Sequence, residues 1–136
     1  MKKEIKLIND MAEIGRLEFF VEEIGLELIL STEIIMNINL ALEEAIANII
    51  MYAYPPQTEH DITLKVTSNS SQLVFLLTDE GISFDPTKAS VVDMSAPIDE
   101  RQIGGLGIFL IRQIMNEVTY ERIDNTNKLT MKKNLS

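Results

Sequence analysis

The stretch LALEEAIANIIMYAY, residues 40–54, is apolar around most of a helix, yet it carries Glu44 and Asn48 one turn apart. At about 100° per residue, the core stripe of this helix includes Ala45 and Ile49. Glu44 and Asn48 are expected on roughly the opposite side, where apolar residues replace the charges typical of a solvated face. The pair is either an ordinary exposed Glu and Asn or a carboxylate and an amide that project into a ligand cleft.

If the pair projects into a ligand cleft, each of the two side chains has a chemical role. Mg²⁺ takes few protein oxygens and fills its other positions with water and phosphate, so the amide oxygen of Asn48 is a suitable ligand. Glu44, one turn away, would face the same phosphates as a general base.

The composition limits the class of protein. The 136 residues are 46% hydrophobic, which suits one folded domain over residues 1–136. A net charge of −9 argues against nucleic acid and acidic membranes as partners. The chain has no cysteine, so thiol catalysis is excluded. The N-terminus does not read as a signal peptide and no window is expected to reach transmembrane length, which predicts a cytoplasmic protein.

The periodicity predicts an α+β fold with a mostly antiparallel sheet. Strands are expected over 4–9, 61–67, 72–79, 118–123 and 128–133. Helices are expected from Asn9–Asp10 to Glu27, from Ser31–Glu33 to about Ala53, and over 104–118. Residues 80–104 show neither period, and a loop of this length is typical of a functional lid or a disordered segment.

A second signal, TDEGISFDP (78–86), follows the predicted central strand. Asp79 is a carboxylate at the margin of the sheet, and Gly81 allows the backbone to turn or to approach a ligand. An acceptor at this place is either part of an ordinary turn or a partner for the exocyclic amine of adenine.

A third signal, the segment GGLG (104–107), leads directly into a helix. Exposed amides at a glycine-rich helix start can bind an anion. The segment lacks the Lys-Ser or Lys-Thr of a P-loop, and it follows a long loop rather than the tight strand of a Rossmann unit. Both of those phosphate-binding motifs are therefore excluded.

Taken together and in this order, the three motifs resemble the ATP site of the Bergerat fold. LALEEAIANIIMYAYP, TDEGISFDP and GGLGIFLIRQIMNEV are most similar to the small anti-sigma factor serine/threonine kinases. The resemblance covers nearly the whole chain. It implies a two-layer α/β sandwich, in which a mixed, mostly antiparallel sheet is covered on one face by about three helices.

The resemblance also implies a role for each site residue. Glu44 would be the catalytic base, Asn48 the Mg²⁺ ligand, and Asp79 the acceptor for the adenine amine, with Gly81 allowing close approach. The phosphates of ATP would be held by the helix start, which comprises Gly104, Gly105, Leu106 and Gly107. Residues of about 87–103 would form the ATP lid.

The function implied is that of an anti-sigma regulatory factor. Such a kinase phosphorylates a STAS-type anti-sigma factor antagonist, sequesters a sigma factor and forms a homodimer, with Arg16 on the first helix as a candidate partner contact. The alternative is a nucleotide-binding module that sequesters its partner without kinase activity.

Three positions depart from the family pattern. Tyr52 stands where many relatives have His, and Ser83 replaces a common Gly or Pro. Thr126-Asn127 stands where some relatives have Gly-Thr, which puts a third phosphate contact in doubt. None of these departures involves Glu44 or Asp79.

Overall fold

The structure is a computed structural model that describes residues 1–88 and 105–135. The strands of the described residues are β1 (Lys2–Ile8), β2 (Asp61–Ser68), β3 (Gln72–Asp79), β4 (Glu117–Ile123) and β5 (Thr126–Asn134), and the helices are α1 (Ile14–Leu28), α2 (Thr32–Tyr52) and α3 (Gly105–Ile114). The five strands form one sheet in the order β1-β2-β3-β5-β4, and all four pairings are antiparallel. Short 3₁₀ turns occupy Met11–Glu13 and Pro86–Lys88. The predicted α+β architecture of a sheet and three helices is confirmed, but the sheet of the described residues is entirely antiparallel and not mixed, because each strand pairs with its neighbour in the opposite direction.

The helices begin where the sequence supplies capping side chains. Asp10 Oδ1 accepts a hydrogen bond from Ala12 N at 2.9 Å, and Ser31 Oγ accepts one from Ile34 N at 3.2 Å. Each cap satisfies an amide that has no partner within its helix. Ile29, at φ 55°, ends α1 in the left-handed conformation and turns the chain into α2.

The core lies between the helices and one face of the sheet. Along β2 and β3 every second side chain is buried, so each strand presents one face to the helices. Phe75 is the largest fully buried side chain, and it packs in the same cluster as Leu42 of α2 and Ile111 of α3. This packing fixes α2 and α3 over the end of β3, where Asp79 lies.

The prediction for the last helix was wrong at its C-terminal end. The structure ends α3 at Ile114, whereas the sequence predicted a helix over 104–118, and Val118 lies in β4 in agreement with the predicted strand over 118–123. Asn116 explains the early end, because its N–H donates to Lys132 O and its side-chain oxygen accepts from Asn134 N. The chain leaves the helix to pair with β5.

The expectation that no window reaches transmembrane length was also wrong. In the described part of the chain, α2 is long enough and apolar enough to cross a membrane by length and composition. Ile38, Leu42 and Ile46 of α2 are completely or almost completely buried in the core. The helix is apolar on this face because it packs between the sheet and its neighbouring helices.

Candidate functional site

The pair on α2 lies at the contact between α2 and α3. Asn48 is only 8% exposed and Glu44 is half-buried, because α3 packs beside them. A Cβ placed on Gly107 would lie 3.1 Å from Glu44 Oε2 and 3.4 Å from Asn48 Nδ2. The expectation that Asn48 lies opposite the core is corrected, since it is buried on the same side as Ala45. The structure brings the predicted base, the predicted Mg²⁺ ligand and the predicted phosphate-binding helix start together.

The side chain of Asn48 has an unused hydrogen-bonding group. Its Nδ2 is buried and has no partner among the described residues. Buried polar groups normally have partners, so this amide is suited to a ligand. The two ends of an amide exchange by rotation about one bond, and the oxygen can equally face the contact with Glu44 and Gly107.

The chemistry of these donors fits Mg²⁺ bound together with a nucleotide. The described residues contain no cluster of three His, Cys, Asp or Glu side chains that could hold a metal alone. Asn48 can supply one oxygen, and phosphate and water would supply the others. The site suits a metal that enters with its substrate.

The start of α3 is the third part of the candidate site. Gly105 and Leu106 form its first residues, and Gly107 follows in the first turn. Amides in a first turn have no acceptor within the helix, so they are free to bind phosphate. Gly104 and residues 89–103 of the predicted lid lie outside the described residues.

Asp79 lies at the end of β3 and is 5% exposed. Its Oδ1 accepts hydrogen bonds from Gly81 N at 2.9 Å and from Asn127 Nδ2 at 3.0 Å. Burial raises the pKa of Asp79, while these two hydrogen bonds and the positive charge of Arg122 oppose part of that rise. Asp79 is therefore a buried acceptor in an environment that penalises its charge.

Asp79 and Asn48 line the same cavity. Its apolar wall comes from α2, α3, β5 and the segment after β3, and comprises Ala45, Ile49, Ala53, Phe84, Pro86, Ile111 and Leu129. The ring of Tyr52 lies 6.0 Å from that of Phe84. An apolar pocket that is also lined by a buried carboxylate and an amide has the features of a site for an amine-bearing ligand.

Gly81 has a packing role that the sequence did not reveal. A Cβ at this position would lie 2.5 Å from Ala53 O and 2.6 Å from Ala53 Cβ. Ile82 N also donates to Ala53 O at 2.9 Å. The missing side chain therefore lets residues 81–82 pack against the end of α2, and this contact holds the loop beside Asp79.

Asn127 is the site residue whose role the sequence did not indicate. The sequence marked it only as a departure from the family pattern that put a third phosphate contact in doubt, whereas β5 pairs with β3 so that Asn127 lies opposite Asp79. Tyr120 and Arg122 of β4 donate to its side-chain oxygen. A buried Asn in an otherwise alternating apolar strand was the available signal, and the strand pairing was needed to interpret it.

Two other polar residues of interest have local partners. Arg16 donates to Glu13 at 2.9 Å at the start of α1. Its side chain is exposed, so Arg16 stays a candidate for contact with a partner. His60 stacks on Tyr54 with ring centroids 4.1 Å apart and contacts Thr58 Oγ1 at 3.0 Å. Neither contact joins these residues to the pair on α2.

Comparison with known proteins gives the family to which this fold belongs. The sequence model of the histidine kinase-like ATPase domain matches residues 9–133. The chain belongs to the histidine kinase-like ATPase domain family.

Individual relatives support the resemblance to serine/threonine kinases. The chain is 29% identical over 113 residues to the serine/threonine-protein kinase BtrW of Bordetella bronchiseptica, which covers 83% of this chain and 80% of that protein. It is 32% identical over 92 residues to the serine-protein kinase RsbW of Listeria monocytogenes, which covers 65% of this chain and 59% of that protein. The resemblance inferred from the motifs is confirmed.

One solved structure is similar to this chain in its fold. The histidine kinase domain of the Erythrobacter litoralis EL346 blue-light activated histidine kinase superposes with a TM-score of 0.58 at 17% identity. The match covers 92% of this chain and 60% of the other. The predicted histidine kinase-like ATPase fold is thereby confirmed.

Proposed function

We propose that this protein is an ATP-dependent serine/threonine protein kinase that acts as an anti-sigma regulatory factor. The observation that carries the proposal is the contact of Gly107 with Glu44 and Asn48, because it places a carboxylate, an unpartnered amide and a helix start at one point. Phosphoryl transfer depends mainly on positioning and charge stabilisation, which these groups can provide. The protein kinases among its relatives support the same activity.

Each residue has a defined role in the proposed reaction. Asp79 accepts the exocyclic amine of adenine, and the amides of Gly105, Leu106 and Gly107 hold the phosphates, with Gly104 as a further expected contact. Asn48 holds Mg²⁺ through its side-chain oxygen. Bound Mg²⁺ supplies positive charge against the phosphate oxygens.

Glu44 is the proposed base for the transfer step. It takes the proton of a Ser or Thr hydroxyl as that oxygen bonds to the γ-phosphorus, while the bond from phosphorus to the ADP oxygen breaks. The exposed side of Glu44 is where the acceptor protein can approach.

We also propose the wider regulatory role. The acceptor is a STAS-type anti-sigma factor antagonist, a sigma factor is held inactive by a homodimer, and Arg16 contacts a partner. Residues 1–136 form one ATPase domain with a lid at about 87–103, and the protein acts in the cytoplasm without direct contact to nucleic acid or membrane.

The test has a binding part and a transfer part. We expect calorimetric titration of ATP to show Mg²⁺-dependent binding that Asn48→Ala weakens. With purified STAS domains from the same genome as acceptors, Glu44→Gln should lower the rate of transfer by about 10²- to 10⁴-fold and leave the Kd for ATP unchanged. Glu43→Gln is the matched control, because it removes the neighbouring carboxylate, and it should retain transfer.

Two results would change the proposal. Transfer at the normal rate by Glu44→Gln would remove Glu44 from the role of base. Mg²⁺-dependent nucleotide binding without transfer to any STAS domain would favour the alternative, a module that sequesters its partner without kinase activity.

A further inference from the structure

The side chain of Asn127 uses its full hydrogen-bonding capacity. Its Nδ2 donates to Asp79 Oδ1 at 3.0 Å and to Ile82 O at 2.8 Å. Its Oδ1 accepts from Arg122 Nη1 at 2.9 Å and from the hydroxyl of Tyr120. Two acceptors face the nitrogen and two donors face the oxygen, so only one orientation of this amide satisfies its neighbours.

This orientation determines how Asp79 presents its carboxylate. Both hydrogen bonds to Asp79, from Asn127 Nδ2 and from Gly81 N, end on Oδ1. Oδ2 accepts no hydrogen bond from residues 1–88 and 105–135. One oxygen of the carboxylate is therefore held by the protein, and the other is left for a ligand in the cavity that Asp79 lines.

We propose that Asn127 is a positioning residue that determines nucleobase selectivity, because it holds Oδ1 of Asp79 and leaves Oδ2 to accept the exocyclic amine of adenine. The inference rests on the proposed function, in which Asp79 binds that amine. It adds a residue of β5 to the recognition of the base.

The position of Asn127 is in turn set by β4. Arg122 Nη1 donates to Gly81 O at 2.7 Å as well as to Asn127, so one guanidinium fixes both the loop and the amide. Asn127 is 5% exposed, and an unpartnered amide at this depth would be costly. Asp79 and Asn127 are also directly opposite in the pairing of β3 with β5, which leaves little freedom for either side chain.

The charged and titratable groups around Asp79 give a second consequence. Arg122 lies on β4, Tyr54 follows α2, and Glu80 is the next residue in the chain. The hydrogen bond from Asn127 opposes the rise in the pKa of Asp79 that burial causes. Loss of Asn127 should raise that pKa further, so that the carboxylate accepts the amine only at higher pH.

The decisive experiment compares two nucleotides that differ in one group. Kd values are measured with Mg²⁺ for ATP and for purine riboside triphosphate, which lacks the exocyclic amine. We expect the wild type to prefer ATP by about 10- to 100-fold, the range typical of a hydrogen bond to a charged group. Asn127→Leu should bring the ratio of the two Kd values close to one, mainly by weakening ATP.

A structural role alone would give a different pattern, because it would weaken both nucleotides equally and leave their ratio unchanged. Thr130→Ala is the matched control, since Thr130 lies on β5 but on the opposite face of the sheet, and it should keep the wild-type ratio. Where Asn127→Leu does not fold, Asn127→Ser provides the same test without added apolar bulk.

The outcomes separate this inference from the proposed function. A wild type that binds no ATP, or binds both nucleotides equally, would overturn the role of Asp79 and the inference with it. A normal preference for ATP that survives substitution of Asn127 would overturn the inference alone. An upward shift, in the variant, of the pH at which ATP binding is half lost would support it further.

Discussion

Gly107 of α3 lies directly against Glu44 of α2. A Cβ at Gly107 would come within 3.1 Å of Glu44 Oε2, which is closer than most side-chain contacts, and would lie 3.4 Å from Asn48 Nδ2, an ordinary contact. The glycine thus leaves space at the one point where the proposed base, metal ligand and phosphate site meet. A glycine is needed here because α3 approaches Glu44 and Asn48 closely, and not because the backbone adopts unusual angles.

Gly107→Ala should weaken Mg²⁺-dependent ATP binding without lowering stability. The added methyl group takes the space beside Glu44 and Asn48, whereas alanine favours the helix by about 0.5–1 kcal/mol over glycine. We expect Kd to rise by about 10-fold or more, a loss of about 1.4 kcal/mol. Calorimetry and thermal unfolding measure the two effects separately.

Gly15→Ala is the control for that substitution. Gly15 lies in α1, and a Cβ there would meet no atom within 4 Å. The same helical gain in stability should appear with an unchanged Kd for ATP. Unchanged binding in Gly107→Ala as well would show that the space beside Glu44 is not used by the nucleotide.

Gly81→Ala should destabilise the fold. Its Cβ would lie 2.5 Å from Ala53 O and 2.6 Å from Ala53 Cβ, so the loop must move away from the end of α2. Overpacking of this kind typically costs about 1–3 kcal/mol. Urea unfolding measures the loss. Ala53→Gly in the same chain removes the contact with Ala53 Cβ and should restore part of the stability, whereas a fully stable single variant would contradict the packing.

Asp79→Asn should stabilise the protein at neutral pH while weakening ATP binding. The pKa of Asp79 is raised in the fold, so the native state favours the protonated form. That contribution to stability is present below the ordinary pKa of about 3.8 and is lost as the pH rises through the raised value. An asparagine cannot ionise and avoids the loss.

The pH dependence tests this explanation. The difference in melting temperature between Asp79→Asn and the wild type should be largest above the raised pKa of Asp79 and should shrink toward acidic pH. A constant difference at all pH values would show that ionisation of Asp79 is not its cause. ATP binding should be weaker in the variant, because an amide presents less negative charge to the adenine amine.

Glu43→Gln should also stabilise the protein at neutral pH, for a related reason at the contact of α1 with α2. Burial and a hydrogen bond with Glu18 raise the pKa of Glu43, and the charges of Glu18 and Glu44 add to the effect. The native state is therefore penalised as the pH rises through this raised pKa. Chemical unfolding at several pH values should show the gain at pH 7 and its disappearance below about 4.5.

Glu22→Gln provides the comparison for Glu43→Gln. It removes the same charge from an exposed position of α1. If Glu22→Gln gains as much stability as Glu43→Gln, the cause is the net charge of −9 and not the pair with Glu18.

Much of the fold could be predicted because its signals are local. Ser31 caps α2 as expected, β3 has the predicted bounds of 72–79, and Asp124 and Asn125 form the turn between the last strands with φ of 49° and 65°. Capping, alternation and turn preferences depend on residues a few positions apart, so the sequence states them directly.

The same local patterns singled out Glu44, Asn48, Asp79 and the glycine-rich helix start as candidate site residues. They failed where a long-range contact decides the outcome. The end of α3 is one case, since Asn116 pairs with β5 instead of continuing the helix.

The sequence by itself determined most of the helices and strands, the apolar face of the sheet and the residues that are candidates for chemistry. Only the tertiary structure decided that α3 buries Asn48, that Gly81 faces Ala53, and that Asn127 lies opposite Asp79. Asp79 and Asn127 are 48 residues apart, and their contact follows from the register of β3 with β5. Register depends on the packing of the whole sheet against its helices, and no local pattern contains that information.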